Sequence, residues 1–241
     1  MAEKYAQELT VLPGACDSAG LLGIPDTIGL FMDIAARHAE ALGCGIGALG
    51  PRGLFWLTVR TRVRFFRRPG MMEALTLETW PEPPSRLRAN RDYLLRKGDE
   101  ILAAGRTEWT VLDTGSGKPV APGTVFPAGL DFARDTVWEE PFARLRDEPL
   151  EELGRYTVRS TDIDLGGHMN NAAYVRALAG QFSCRVWQAM DLRELEIAYR
   201  ASCYEGETLI WQSRREEDGS LSLRGAKEDG QTAVLARLLP G

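Results

Sequence analysis

Glu73-Ala-Leu-Thr-Leu-Glu-Thr-Trp80 reads as an alternating strand, and Glu205-Gly-Glu-Thr-Leu-Ile-Trp211 echoes it, the two tryptophans standing 131 positions apart. Apolar side chains on every second residue mark a half-buried strand. The echo runs on: Gly98 and Gly230 sit in equivalent hairpin turns 132 positions apart. Self-similarity at a fixed spacing means two copies of one supersecondary unit.

Working outward, the first copy begins with a strand from Tyr5 to Leu12, bounded by Pro13-Gly14. Pro25-Asp26-Thr27 then opens a helix, Pro suiting its first turn and Asp its positive end. Ile28, Phe31, Met32, Ala35, Ala39 and Leu42 recur at helical spacing until Gly43 stops them. Residues 43–53 hold five Gly but lack the GxGxxG order and the Lys of a phosphate loop, so they read as a connection. Strands are predicted at 54–66, 74–80, 88–97 and 101–112, with Gly98-Asp99 as a hairpin turn. Residues 114–135 are rich in Pro and Gly and read as a linker, and 138–152 as a charged, irregular stretch with a short helix. The second copy gives a strand at 154–160, a helix at about 171–190, and strands at 194–201, 208–214, 221–226 and 232–239. Each unit is thus one long helix and a mostly antiparallel sheet, an α+β layer architecture.

Between the first strand and the helix of the second copy lies Thr161-Asp-Ile-Asp-Leu-Gly-Gly-His-Met-Asn-Asn-Ala-Ala-Tyr174. It holds two carboxylates, the second of only two histidines, a Gly pair and two Asn. Asp, Asn and Gly are ordinary turn formers and caps, and Asn170 or Asn171 suits the helix N-cap. A cap does not need His168 and two Asp as well. A base, a polar partner and the outward N–H groups of a helix start suggest hydrolysis of an acyl compound. The first copy shows no counterpart of this Asp-x-x-x-His cluster in its sequence, which implies one active site per chain.

With 44% hydrophobic residues the chain can build a real core, and a net charge of −5 argues against a nucleic-acid partner. Cys16, Cys44, Cys184 and Cys203 are scattered without CxxC or paired His, so neither a zinc site nor a disulfide framework is indicated. The polar N-terminus shows no signal peptide, and no apolar run reaches membrane-span length. A soluble cytoplasmic protein with reduced thiols is the expectation.

The segment from Ser160 to Tyr174 resembles the Ser-Asp-x-Asp-x-Asn-x-His-x-Asn-Asn-x-x-Tyr motif of the acyl-acyl carrier protein (acyl-ACP) thioesterases, the plant plastid enzymes and their bacterial relatives. Glu196-Ile-Ala-Tyr-Arg-Ala-Ser-Cys203 resembles the family's Glu-Tyr-Arg-Arg-Glu-Cys segment, and Arg91-Asp-Tyr and Thr107-Glu-Trp-Thr-Val-Leu-Asp113 are similar to its first half. The resemblance implies two fused hotdog folds, with an N-terminal acyl-binding domain at 1–130, a linker at 131–152 and a catalytic domain at 153–241. It also implies hydrolysis of fatty acyl-ACP, with no metal or cofactor. The plant transit peptide is missing, which suggests a bacterial member.

Two positions depart from the family: Gly166 stands where it has Asn, and Ser202 where it has Glu. Asp164 is read as the base that activates water, and His168 as sharing that role or bonding the thioester carbonyl. Cys203 is the rival nucleophile, and Ser202 a weak polar partner for the water. Asn170, Asn171 and Gly166 would border the substrate, while Ile28, Phe31 and Met32 would wall an acyl tunnel. His38 reads as a packed or surface helical residue. Arg60, Arg62, Arg64, Arg67 and Arg68 form either a solvated strand face or a dock for the acidic carrier protein. A homodimer is compatible with the sequence. Acyl-CoA hydrolysis, enoyl hydration or dehydration, and non-catalytic acyl binding remain as alternatives, since fold alone does not decide chemistry.

Overall fold

Pro25 and Asp26 start a helix where the sequence places one: α1 spans Ile24–Ala41 and buries Ile28, Phe31, Ile34, Ala35, His38 and Ala39. The computed structural model describes residues 4–241, so the first three residues of the N-terminus lie outside the described residues. Around α1 run β1 (Tyr5–Thr10), β2 (Leu54–Phe65), β3 (Ala74–Pro81), β4 (Ala89–Lys97) and β5 (Glu100–Asp113). The second half supplies β7 (Glu151–Thr157), α3 (Asn171–Ala179), α4 (Cys184–Met190), β8 (Leu192–Tyr199), β9 (Thr208–Arg215), β10 (Leu221–Lys227) and β11 (Thr232–Pro240). A four-residue helix α2 (Ile46–Leu49) and a two-residue strand β6 (Pro119–Val120) complete the set.

One antiparallel sheet runs β1-β3-β4-β5-β2-β8-β11-β10-β9-β7, with β6 beside β5. The order on one side of the β2–β8 joint is repeated in reverse on the other, as two copies related by a pseudo-two-fold axis require. At the joint Arg62 faces Glu196. Trp80 and Trp211, the residues of the sequence echo, are both fully buried on equivalent strands. Each half is a hotdog: a helix lies across an antiparallel sheet and buries one face on it. Close approach of helix and sheet is possible because β5 carries Gly105. A Cβ there would stand 2.2 Å from the Phe31 ring, which instead stacks on Tyr93 at 4.5 Å.

Five expectations need correction. The helix predicted at 171–190 is two helices, α3 ending at Gly180 and α4 restarting at the Ser183 cap, whose hydroxyl accepts the Val186 N–H. Gly180 and Ser183 favour a break, and the apolar spacing of Tyr174, Leu178 and Phe182 runs across it without showing it. No helix forms in 138–152; the stretch is irregular until β7 begins at Glu151. The glycine-rich 43–53 connection holds α2, and the 114–135 linker holds β6. Finally, the β2 arginines are not a free solvated face. Arg62 and Arg64 pair with Glu194 at 2.8 and 2.9 Å and lie against the buried Trp138 ring.

Candidate active site

Asp164 and His168 stand at the two ends of a tight hairpin that leads into α3. The Asp164 N–H donates to the His168 carbonyl at 3.0 Å, and the Gly167 N–H donates to the Asp164 carbonyl at 3.0 Å. Gly167 takes φ +76°, a left-handed turn that suits glycine. Asp162 anchors the hairpin from below: its buried carboxylate accepts the Tyr156 hydroxyl at 2.7 Å and the Arg159 N–H at 2.8 Å. Of the two loop carboxylates, Asp162 is buried in these bonds and Asp164 is exposed.

The Asp164 carboxylate accepts the Gly166 N–H at 2.8 Å and lies 3.8 Å from His168 Nδ1. Both side chains reach solvent. A Cβ on Gly166 would come within 2.9 Å of His168 Nε2 and 3.0 Å of Asp164 Oδ1. The lack of a side chain at 166 is therefore what leaves the space between the pair open.

Asn170 is the N-cap of α3. Its Oδ1 accepts the N–H groups of Ala172 at 2.8 Å and Ala173 at 3.1 Å. These two donors are engaged, which narrows the oxyanion site expected at the helix start; the Asn171 N–H is not taken by the cap. The Asn171 carbonyl accepts the Tyr199 hydroxyl at 3.3 Å.

Cys203 is tied to the loop through its backbone. Its carbonyl accepts the Met169 N–H at 2.8 Å, and its N–H donates to the Tyr174 hydroxyl at 3.0 Å. The Cys203 side chain is fully buried, and burial raises its thiol pKa against the opposing pull of Tyr174 and Lys227. A buried, protonated thiol is a poor nucleophile. Ser202, next to it, is half-buried.

The acyl-tunnel residues separate. Met32 lines a cavity of about 240 Å³ beside α1, with Ala35, Ala39, Trp56, Arg91 and Trp109 on its wall. Ile28 and Phe31 are wholly buried in the core and do not line it. His38 is buried, its Nδ1 3.0 Å from Arg91 Nη1. Burial and the Arg91 charge lower its pKa to about 4, so the ring is neutral. Among the described residues no cluster of His, Cys, Asp and Glu could hold a metal. No described helix is long and apolar enough to cross a membrane.

One part of the site escaped the sequence reading. The first half does carry a copy of the loop. Cys16 bridges Leu22 as Ile163 bridges Met169. Asp17 bonds Leu21 through its backbone and Ala19 through its carboxylate, as Asp164 does His168 and Gly166. Gly20 takes the left-handed φ of Gly167. The aspartate is kept and the histidine is replaced by Leu21. Asp17 is bound by Arg68, whose Nη2 donates to it at 2.5 Å. The missing His hid the copy from a search for Asp-x-x-x-His; the Asp and Gly at matching spacing were the available signal.

The acyl-ACP thioesterase N-terminal domain matches residues 2–121, and the acyl-ACP thioesterase C-terminal domain matches residues 147–238. The chain belongs to the acyl-ACP thioesterase family. It is similar to the chloroplastic oleoyl-acyl carrier protein thioesterase of Coriandrum sativum, at 19% identity over 75% of this chain and 54% of that protein. It is also similar to the chloroplastic dodecanoyl-[acyl-carrier-protein] hydrolase of Cinnamomum camphora, at 25% identity over 71% of this chain and 49% of that one. The chain thus spans about half the length of the curated relatives it matches. An acyl-ACP thioesterase structure from Bacteroides thetaiotaomicron superposes with a TM-score of 0.90 at 21% identity, covering 98% of this chain and 97% of that one. The 12:0-ACP thioesterase of Umbellularia californica gives 0.80 at 18% identity, covering 99% and 98%. These likenesses confirm the double hotdog expected for an acyl-ACP thioesterase.

Proposed function

We propose that this protein hydrolyses the thioester of fatty acyl-ACP, releasing a free fatty acid and the carrier thiol. The observation that carries the reading is the Asp164–His168 pair, set at the start of α3 within the part that matches the family's C-terminal domain. Asp164 takes a proton from water as the water oxygen attacks the thioester carbonyl. The C–O bond forms, the C–S bond breaks, and the proton passes to the leaving thiolate. His168 orients the water or donates to the carbonyl oxygen, and the Asn171 N–H steadies the developing oxyanion. Cys203 serves as packing rather than as a nucleophile, because its thiol is buried and held protonated. Ser202 and Gly166 border the reacting group.

In the same reading residues 1–130 receive the acyl chain, 131–152 link the halves, and 153–241 carry the chemistry. The protein works in the cytoplasm on a soluble carrier, and nothing in the mechanism calls for a cofactor. The experiment is thiol release from a panel of acyl-ACP and acyl-CoA substrates by wild type and Asp164→Asn. Turnover on acyl-ACP that collapses in the variant supports the proposal. Turnover on acyl-CoA alone would move the substrate class, and hydration of enoyl thioesters without thiol release would replace the hydrolase reading.

A further inference from the structure

Arg91 is 6% exposed and lines the apolar cavity beside α1. Its Nη1 donates to His38 Nδ1 at 3.0 Å and to Thr79 Oγ1 at 3.3 Å. These are its hydrogen-bond partners among the described residues, and no described carboxylate forms an ion pair with it. Its sequence neighbour shows the contrast: Asp92 points to the other face and accepts two bonds from Arg106, at 2.8 and 3.0 Å. Glu40 also borders the cavity, but it is exposed and its Oε1 accepts the Gly47 N–H at 2.9 Å.

A buried guanidinium without a counter-ion is costly. His38 does not relieve it with charge, because its ring is neutral; Nδ1 accepts from Arg91, so Nε2 carries the proton. That Nε2 is buried with no partner. His38 does not itself line the cavity, so the unmet donors on its wall are the remaining N–H groups of Arg91. The rest of the wall is mostly apolar, with Ala35, Ala39, Leu49, Trp56 and Phe126, and the Asn90 amide beside Arg91 donates to Glu82 at 3.0 Å.

We propose that this cavity binds an aliphatic carboxylate, its hydrocarbon chain lying on the apolar wall and its carboxylate on the Arg91 guanidinium. The planar fork of Arg matches the two carboxylate oxygens and gains most where water is excluded. The cavity, at about 240 Å³, lies just below the usual range for small-molecule pockets and suits a chain of medium length. Two sources supply this chemistry: a free fatty acid, or an acyl chain with a second carboxyl at its far end. Binding is measured without turnover, so it stands or falls separately from the hydrolase reading.

The test is calorimetric titration of the full chain with decanoate and with 1-decanol, which shares the chain but not the charge. Wild type is expected to bind decanoate at least tenfold more tightly than decanol. Arg91→Gln is expected to erase that preference while keeping decanol binding. Should Arg91→Gln fail to fold, Arg91→Lys keeps the charge without the fork and is expected to lose part of the preference. Equal affinity for acid and alcohol in wild type, an unchanged preference in a folded Arg91 variant, or no binding of decanoate overturns the proposal. Competitive inhibition of thioester hydrolysis by decanoate assigns the site to the free acid; faster turnover of an ω-carboxyacyl thioester assigns it to the second carboxyl.

Discussion

Asp17 and Asp164 hold the same position in two copies of one hairpin, and only Asp164 has a histidine four residues on. Asp17 faces Arg68 instead, at 2.5 Å. The loop is kept in both halves and the Asp–His pair in one. Asp164→Asn is therefore expected to lower kcat by roughly 10²–10⁴-fold, the usual worth of a general base. Asp17→Asn is expected to leave kcat in place and to cost about 1–2 kcal/mol of stability through its half-buried ion pair. Burial would raise the Asp17 pKa, but Arg68 and the N–H groups of Ala19 and Leu21 outweigh it and hold it low. Its contribution is present above the ordinary carboxylate pKa and is lost as pH falls through the lowered value. Paired kinetics and denaturant titrations separate the two aspartates; equal loss of activity in both variants would refute the asymmetry.

Gly166 sets the distance between Asp164 and His168. A methyl group there meets both side-chain ends at 3.0 Å or less, so Asp164 and His168 must swing apart. The loop tip is exposed, and its φ is not in the left-handed region. Gly166→Ala is expected to reduce kcat by roughly tenfold or more through misplacement while the melting temperature changes little. An unchanged kcat would show that the pair does not act at its present spacing.

The reach of the sequence can be judged from particular residues. Alternating strands and the Trp80–Trp211 echo showed both units, because a period of two is fixed by burial of one face. The Asp164–His168 loop was legible because its residue types are unusual for a cap. The break between α3 and α4 was not, since Leu178, Phe182 and Val186 keep helical spacing across it, yet Val186 is exposed. The β2 arginines looked solvated because their partners, Glu194, Glu196 and Trp138, are over a hundred or several tens of residues away in the chain. Arg91 was legible only as part of the Arg91-Asp-Tyr likeness, because its lack of a counter-ion exists only in three dimensions.

His38 gives the fold an acid limit. Its pKa is lowered to about 4 by burial and then by Arg91, against an ordinary value of 6.5. The unfolded chain thus binds a proton between pH 6.5 and 4 that the folded chain refuses. Stability falls as pH drops through that window, by roughly 3 kcal/mol once both values are passed. His38→Gln removes the titration, so its stability curve should be flatter from pH 6.5 to 4. An identical pH slope in wild type and variant, measured by urea unfolding, would refute this account.

Trp138 closes the joint between the halves. It is 3% exposed, and the guanidinium carbons of Arg62 and Arg64 lie 4.0 and 4.4 Å from the ring centre. Beneath it Glu194 accepts from both arginines. Trp138→Ala removes a large buried ring and is expected to cost about 3–5 kcal/mol. It should also open the irregular 139–150 segment to protease before the strands are cut. Glu194→Ala leaves Arg62 with Glu196, at 3.7 Å, and the Pro141 carbonyl, at 3.4 Å, and should cost about 2 kcal/mol, because Arg64 can still turn to water. Both changes act on the same two guanidinium groups. The double variant should then depart from additivity by about 0.5–3 kcal/mol. Additive costs in urea unfolding would mean that the ring packs on the strands without coupling to the charges that join them.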